Sequence, residues 1–105
     1  MATTFYTKLV RDKIPEILDA KGVRYEKRVA SLRKYKSELI KKLPEEALEF
    51  SEAGEPEELA DVMEVVRALL KLPAYKNVEQ IRKRERKKRG GYDGRIIVEG
   101  EKDTR

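Results

Sequence analysis

Hydrophobic residues recur three and four positions apart over the middle of the chain, which is the spacing of one face of an α-helix. Ser31 suits the N-cap of such a helix, and Gly54 suits the position that ends it. Pro44 falls inside this stretch and predicts either a kink or a restart of the helix. The apolar positions that carry the pattern are Leu32, Tyr35, Leu39, Ile40 and Leu43.

The same pattern, divided by glycines and prolines, predicts three further helices. Their expected bounds are Asp12 (as the N-cap) to about Ala20, Pro56 to about Leu72, and Val78 to Arg89 after an Asn77 cap. Alternation of side chains predicts a strand at residues 23–29, and a strand or an extended segment is expected at residues 5–10 and 95–98. The chain is expected to fray after residue 99. The predicted fold class is therefore all-α. Its centre is an antiparallel helix hairpin that turns at Gly54-Glu55-Pro56.

Two acidic pairs flank this turn. Glu46 and Glu49 form an E-x-x-E, and Glu58 and Asp61 form an E-x-x-D. Residues three apart share a helix face, so two helices folded back on each other would direct four carboxylates at one another. Four adjacent carboxylates repel, and a bound divalent cation is the usual resolution. The leading hypothesis is a Mg²⁺ site, and with it phosphate chemistry.

Both pairs are in register with apolar positions. Glu46 lies on the stripe that contains Leu43 and Phe50, and Asp61 on the stripe that contains Val65 and Leu72. A carboxylate among core positions is costly unless it is paired or metal-bound. The alternative is a set of ordinary surface acids near a helix N-terminus, where negative charge is favourable. Two pairs on facing helices favour the site over this alternative.

Composition limits the chemistry that the chain can perform. It has 105 residues, 39% of them hydrophobic and 43% charged, which suits a single domain over residues 1–105 with a thin core. Oligomerisation is the expected way to bury more apolar surface. The chain has no cysteine and no histidine, which excludes disulfides, zinc–thiolate sites and the commonest general base. Catalysis must then use carboxylates, Lys, Arg, Tyr, Ser/Thr or a metal-bound water.

Charge is segregated along the chain. Nine acidic and no basic residues lie between Leu43 and Val66, whereas seven of the eight residues from Arg82 to Arg89 are basic. Together the two regions suit a metal and a polyanionic ligand. The basic helix and a pI of about 9.4 also leave open a nucleic-acid-binding module. The acidic middle and the lack of a nucleic-acid motif speak against that alternative.

The sequence also suggests a cellular location and a thermophilic source for the protein. No apolar run approaches a membrane span, and Met1–Val10 lacks the apolar stretch of a signal peptide, so we expect a cytoplasmic protein without a membrane partner. Abundant Lys, Arg and Glu, with one Asn and one Gln, are typical of thermophile proteins.

Four segments, in order, resemble a known family. The chain resembles the MazG-like, all-α nucleoside triphosphate pyrophosphohydrolases, including the phosphoribosyl-ATP pyrophosphohydrolase-like group. The matching segments are Lys8–Pro15, Glu45–Phe50, Glu58–Val62 and Lys87–Tyr92. The resemblance implies a helical fold in which dimerisation completes a bundle around the site, and the sequence leaves open whether the assembly is a homodimer or a tetramer. The resemblance also implies Mg²⁺-dependent hydrolysis of a nucleotide between its α and β phosphates, with Mn²⁺ as a substitute cation.

Individual roles follow by position. The resemblance makes Glu46, Glu49, Glu58 and Asp61 the metal ligands. Glu49, with Glu46 beside it, would orient or deprotonate the attacking water. The candidates for contacts with phosphate are Lys8, Arg11, Lys13, Lys87 and Arg89, and the candidates for stacking on a base are Tyr92, Tyr6 and Phe5. Each of these basic residues alone is more often solvated helix surface, and each aromatic residue is as often core.

Two departures from the family bear on activity. The connection between the acidic pairs is shorter than in many members, and Pro44 stands where members commonly carry a helix former. A helical module that binds nucleotide or metal without turnover therefore stays open as an alternative. The base, the sugar and the pathway of the substrate also stay open.

Overall fold

Four α-helices make up the regular structure of residues 6–101, the part of the chain that the computed structural model describes. In chain order they are α1 (Ile14–Ala20), α2 (Leu32–Ala53), α3 (Pro56–Leu70) and α4 (Val78–Arg89), with a 3₁₀ turn at Pro73–Tyr75. No strand occurs within residues 6–101, which confirms the all-α class. The strand signal at residues 23–29 was wrong, because these residues form no regular structure.

The long helix α2 is terminated by local chemistry at both ends. The Ser31 hydroxyl accepts a hydrogen bond from the Lys34 amide at 3.2 Å, as an N-cap does. At the other end Gly54 adopts φ of +68°, a left-handed conformation that a residue with a Cβ adopts only with strain. The helix runs without interruption through Pro44, so of the two alternatives at this proline the restart does not occur, and the kink stays a prediction.

The other helix boundaries differ slightly from expectation. Helix α3 ends at Leu70 instead of about Leu72, because the chain tightens there. The amide of Leu72 donates to the carbonyl of Leu69 at 3.0 Å, three residues back. At α1 the N-cap is Lys13 instead of Asp12, and no side chain caps that helix. Asn77 is the N-cap residue of α4 but makes no side-chain capping bond.

Helix α2 packs against α3 across their two-residue connection. The buried hydrophobic residues of this contact are Leu39, Val65 and Leu72, so the core is as thin as the composition predicts. Leu9 packs on the same cluster, which brings the N-terminal segment against the helix pair. Glu46 of α2 and Asp61 of α3 line a pocket beside Val65 of this core.

The chain divides into two compact units, residues 1–75 and 76–105. The first contains α1 to α3 and the acidic pairs, and the second contains the basic helix α4. The single domain over residues 1–105 stays a prediction. In the described part of the chain, every helix is too short or too polar to cross a bilayer.

Candidate functional site

One pocket in the first unit collects acidic and basic side chains from three parts of the chain. Its volume is about 130 Å³. It is lined by Arg11 of the N-terminal segment, Lys42 and Glu46 of α2, and Asp61, Glu64 and Val65 of α3. Two of the four predicted metal ligands, Glu46 and Asp61, therefore reach the same pocket from different helices.

Glu46 is the more buried of these two acids. Its side chain is only 15% exposed, and the Lys42 ammonium lies 3.6 Å from its Oε1. The Lys42 side chain is itself only 21% exposed. Residues four apart on a helix are neighbours, so the sequence contains the signal for this pair. Lys42 was nevertheless not among the predicted site residues, because it lies one residue before the acidic region that begins at Leu43.

Asp61 is held by a residue fifty positions away in the chain. The Arg11 Nη1 atom donates a hydrogen bond to Asp61 Oδ1 at 3.1 Å, and Arg11 Nη2 lies 4.0 Å from Glu64 Oε1. Arg11 was predicted to contact phosphate, and here it contacts carboxylates. Glu64 was also missed, although it lies three residues after Asp61 and so shares its helix face.

Glu49 is affected by the charges of acidic residues on both helices, Glu46 on α2 and Asp61 on α3. Repulsion from the charge of Glu46 raises the pKa of Glu49, with smaller contributions from desolvation, a side-chain hydrogen bond to Glu46 and the charge of Asp61. Lys42 opposes this shift. Three of the four predicted ligands are therefore close enough to influence one another. A carboxylate whose pKa is raised toward neutrality is also better matched to proton abstraction.

Glu58 is the fourth predicted ligand. Its Oε2 atom is buried and has no hydrogen-bond partner among the described residues. An unpartnered buried carboxylate oxygen is destabilising, so it calls for an explanation. Glu58 does not line the pocket that Glu46 and Asp61 share.

The donor chemistry of these residues fits Mg²⁺. The ion prefers oxygen ligands and uses few carboxylates, and the site offers several, one of them with a buried oxygen that lacks a partner. The acidic side chains of the described residues, however, do not form a complete metal-binding site in this structure. No group of three or more acidic side chains within residues 6–101 is positioned to hold a metal ion. Instead Glu46 and Asp61 are paired with Lys42 and Arg11. The magnesium site stays a prediction.

The remaining predicted residues lie elsewhere. Lys8, Lys13 and Tyr6 are exposed, and Phe5 lies outside the described residues. In the second unit, Arg89 Nε pairs with Glu85 at 3.2 Å. Lys87 and Tyr92 of that unit are exposed. The roles of these residues in phosphate binding and base stacking stay predictions.

Comparisons with known proteins do not extend this picture. No protein-family model matches the chain, and no curated protein or solved structure matches it either. The resemblance to MazG-like pyrophosphohydrolases therefore still depends on the four segments described above.

Proposed function

We propose that the protein is a MazG-like nucleotide pyrophosphohydrolase that hydrolyses a nucleoside triphosphate, or a related nucleotide, to a monophosphate and pyrophosphate. The observation that carries this proposal is the convergence of acidic side chains from α2 and α3 on one pocket. The raised pKa of Glu49 adds support because it favours proton abstraction, and the unpartnered oxygen of Glu58 adds support because a bound cation would satisfy it.

The reaction needs little covalent chemistry from the protein. A water molecule adds to phosphorus, the bond between the α and β phosphates breaks, and its electron pair leaves with pyrophosphate. The proton of the water goes to the carboxylate of Glu49, since the chain has no histidine to take it. Glu46, Glu49, Glu58 and Asp61 would hold Mg²⁺. When bound, the ion would neutralise phosphate charge and bind phosphate oxygens.

The size of the pocket indicates that one chain does not enclose the whole substrate. Its volume of about 130 Å³ suits a phosphate group. Sites for drug-sized ligands are larger, about 300–1,000 Å³. We therefore propose that α2 and α3 form an antiparallel hairpin, and that a second copy of the chain completes a helical bundle and the rest of the site.

A second apolar face on α3 supports this assembly. It consists of Leu59, Met63, Val66 and Leu70, which are all exposed and recur four, three and four positions apart. A stripe with this spacing is typical of a helix that packs on another helix. It is distinct from the face that carries Val65 and packs on α2.

The enzymatic proposal is tested by release of pyrophosphate from a panel of nucleoside triphosphates, with and without Mg²⁺. We expect Mg²⁺-dependent release by the wild type and a loss of at least about a hundredfold in Glu49→Gln, the size of a general-base effect. Glu52→Gln is the matched control, because Glu52 is an exposed acid on the same helix. Failure of the wild type to turn over any nucleotide, with Glu49→Gln indistinguishable from it, would refute the proposal.

The assembly is tested separately by sedimentation velocity. Met63→Lys places a charge in the middle of the exposed stripe, and we expect it to convert a dimer or tetramer into monomers. Glu57→Lys, on the same helix and outside the stripe, should leave the mass unchanged. A monomeric wild type at the concentrations used for activity would contradict the role of a second copy.

A further inference from the structure

Two basic side chains, those of Arg11 and Lys42, line the acidic pocket beside its carboxylates. Lys42 forms an ion pair with Glu46, and Arg11 forms ion pairs with Asp61 and Glu64. Of the charged residues that line the pocket, three are acidic and two are basic, which leaves a formal charge of −1. The pocket is therefore close to neutral before any ligand binds, although the surrounding sequence is strongly acidic.

The position of Lys42 is difficult to explain by stability alone. Exposed Lys–Glu pairs four apart stabilise a helix only slightly, which does not require a lysine to be withdrawn from water. Here the Lys42 and Glu46 side chains are partly buried, at 21% and 15% exposed, and the charge of Lys42 also opposes the rise in the pKa of Glu49. The neighbouring Lys41 is exposed and contacts Glu38 instead. Lys42 is thus the lysine of this pair that the helix directs into the pocket.

Arg11 is placed by the backbone on both of its sides. Leu9 packs on the core cluster, and the carbonyl of Arg11 accepts a hydrogen bond from the Ile14 amide at 3.0 Å, at the start of α1. The side chain itself is 63% exposed and free to change partners. A guanidinium group binds a phosphate with the same two-pronged geometry that it uses for a carboxylate.

We propose that Arg11 and Lys42 are exchangeable counter-ions of this pocket, which neutralise Asp61 and Glu46 in the free protein and transfer to phosphate oxygens when a divalent cation and a nucleotide bind. This inference rests on the proposed function, because it concerns the same pocket. It assigns a role to Lys42, which the family resemblance did not supply, and it explains why Arg11 faces carboxylates in the free protein.

Removing either basic side chain should change the affinities for metal and for nucleotide in opposite directions. Each cation repels a divalent ion, so removing one should tighten the binding of the metal alone. Each cation attracts the triphosphate, so removing it should weaken the binding of the nucleotide. A residue that only supported the structure would weaken both.

The test uses the full-length protein and two charge-removing variants, Arg11→Gln and Lys42→Met. Binding of Mn²⁺ alone is measured by the loss of the free-ion electron paramagnetic resonance signal. Binding of a non-hydrolysable nucleoside triphosphate is measured by calorimetry in saturating Mn²⁺. The matched controls are Arg24→Gln and Lys41→Met, both exposed, and Lys42→Arg retains the charge.

We expect both charge-removing variants to bind Mn²⁺ about tenfold more tightly and the nucleotide about tenfold more weakly than the wild type. Arg24→Gln, Lys41→Met and Lys42→Arg should resemble the wild type in both measurements. Arg11→Gln keeps the test independent of folding, because its side chain is largely exposed.

The outcomes separate this inference from the proposed function. If the wild type binds Mn²⁺ and the two variants bind it equally well or more weakly, the exchange is refuted and the enzymatic proposal survives. If neither the wild type nor any variant binds Mn²⁺, the exchange and the enzymatic proposal are both refuted. Binding by the variants but not by the wild type would support the exchange in its strongest form.

Discussion

Replacing Glu58 by methionine should stabilise the metal-free protein. Glu58 lies in the first turn of α3, and its Oε2 atom is buried without a hydrogen-bond partner among the described residues. Methionine has a similar length and no polar oxygen that must be desolvated. The substitution therefore removes a cost of folding, and we expect it to remove a proposed metal ligand as well.

The expected size follows from two opposing effects. A buried polar group without a partner costs about 1–3 kcal/mol, and the substitution recovers this amount. Negative charge in the first turn of a helix contributes about 0.3–1 kcal/mol, which the substitution loses. The net expectation for Glu58→Met is a gain of about 1 kcal/mol in the free energy of unfolding.

Glu57→Met is the matched control. Glu57 lies in the same first turn but is exposed, so its substitution loses the interaction with the helix dipole and recovers nothing. We expect Glu57→Met to lower the free energy of unfolding by about 0.5 kcal/mol. Urea unfolding in the presence of a chelator measures both variants against the wild type.

The same variants then report on metal binding. A cation at a hundred times its dissociation constant stabilises the native state by about 2.7 kcal/mol. We expect Mg²⁺ to stabilise the wild type and Glu57→Met, and to stabilise Glu58→Met much less. A Glu58→Met protein no more stable than Glu57→Met in chelator would refute the reasoning about the buried oxygen. Equal stabilisation of all three proteins by Mg²⁺ would remove Glu58 from the ligand set.

Further expectations concern helix α2, which contributes Leu39 to the core. Leu39→Ala should lower the free energy of unfolding by about 3 kcal/mol, because Leu39 is 4% exposed, whereas Leu32→Ala at 70% exposure should cost less than about 1 kcal/mol. Ser31→Ala should cost about 1 kcal/mol through loss of its cap, and Ser31→Asp should restore most of it; an unchanged urea midpoint in Ser31→Ala would contradict the capping role. A hydrogen bond from Lys34 lowers the pKa of Glu38 below its ordinary 4.5, so this pair stabilises the protein above that pH and the effect is lost as the pH falls through the lowered pKa. Glu38→Gln should therefore reduce stability at pH 7 and not in strong acid, and a pH-independent difference between the two proteins would argue against the pair.

Most of the fold could be read from the sequence because helix boundaries depend on nearby residues. The serine cap, the terminating glycine and the spacing of apolar residues predicted α2 and placed Glu46 on its inward face. The strand predicted at residues 23–29 did not form, and of the two alternatives at Pro44 the restart did not occur. Pro44 removes one backbone hydrogen bond, yet the helix continues around it.

The candidate site was predictable only in part. The spacing of the acidic residues predicted that Glu46, Glu49 and Asp61 lie near one another. Lys42 could also have been predicted, because it lies four residues before Glu46. Arg11 could be suspected only as a basic residue. Its partner could not be predicted, since no local rule connects residues fifty positions apart.

By itself, then, the sequence determined the helices, the position of Glu46 among core residues and the exclusion of cysteine and histidine chemistry, because these depend on composition and on neighbours along the chain. The tertiary structure decided which charges meet. The packing of α2 on α3, and of Leu9 on their shared core, brings Arg11 to Asp61 and leaves one oxygen of Glu58 buried without a partner. These contacts result from burial of apolar surface between distant segments, and the charges are carried along with that packing.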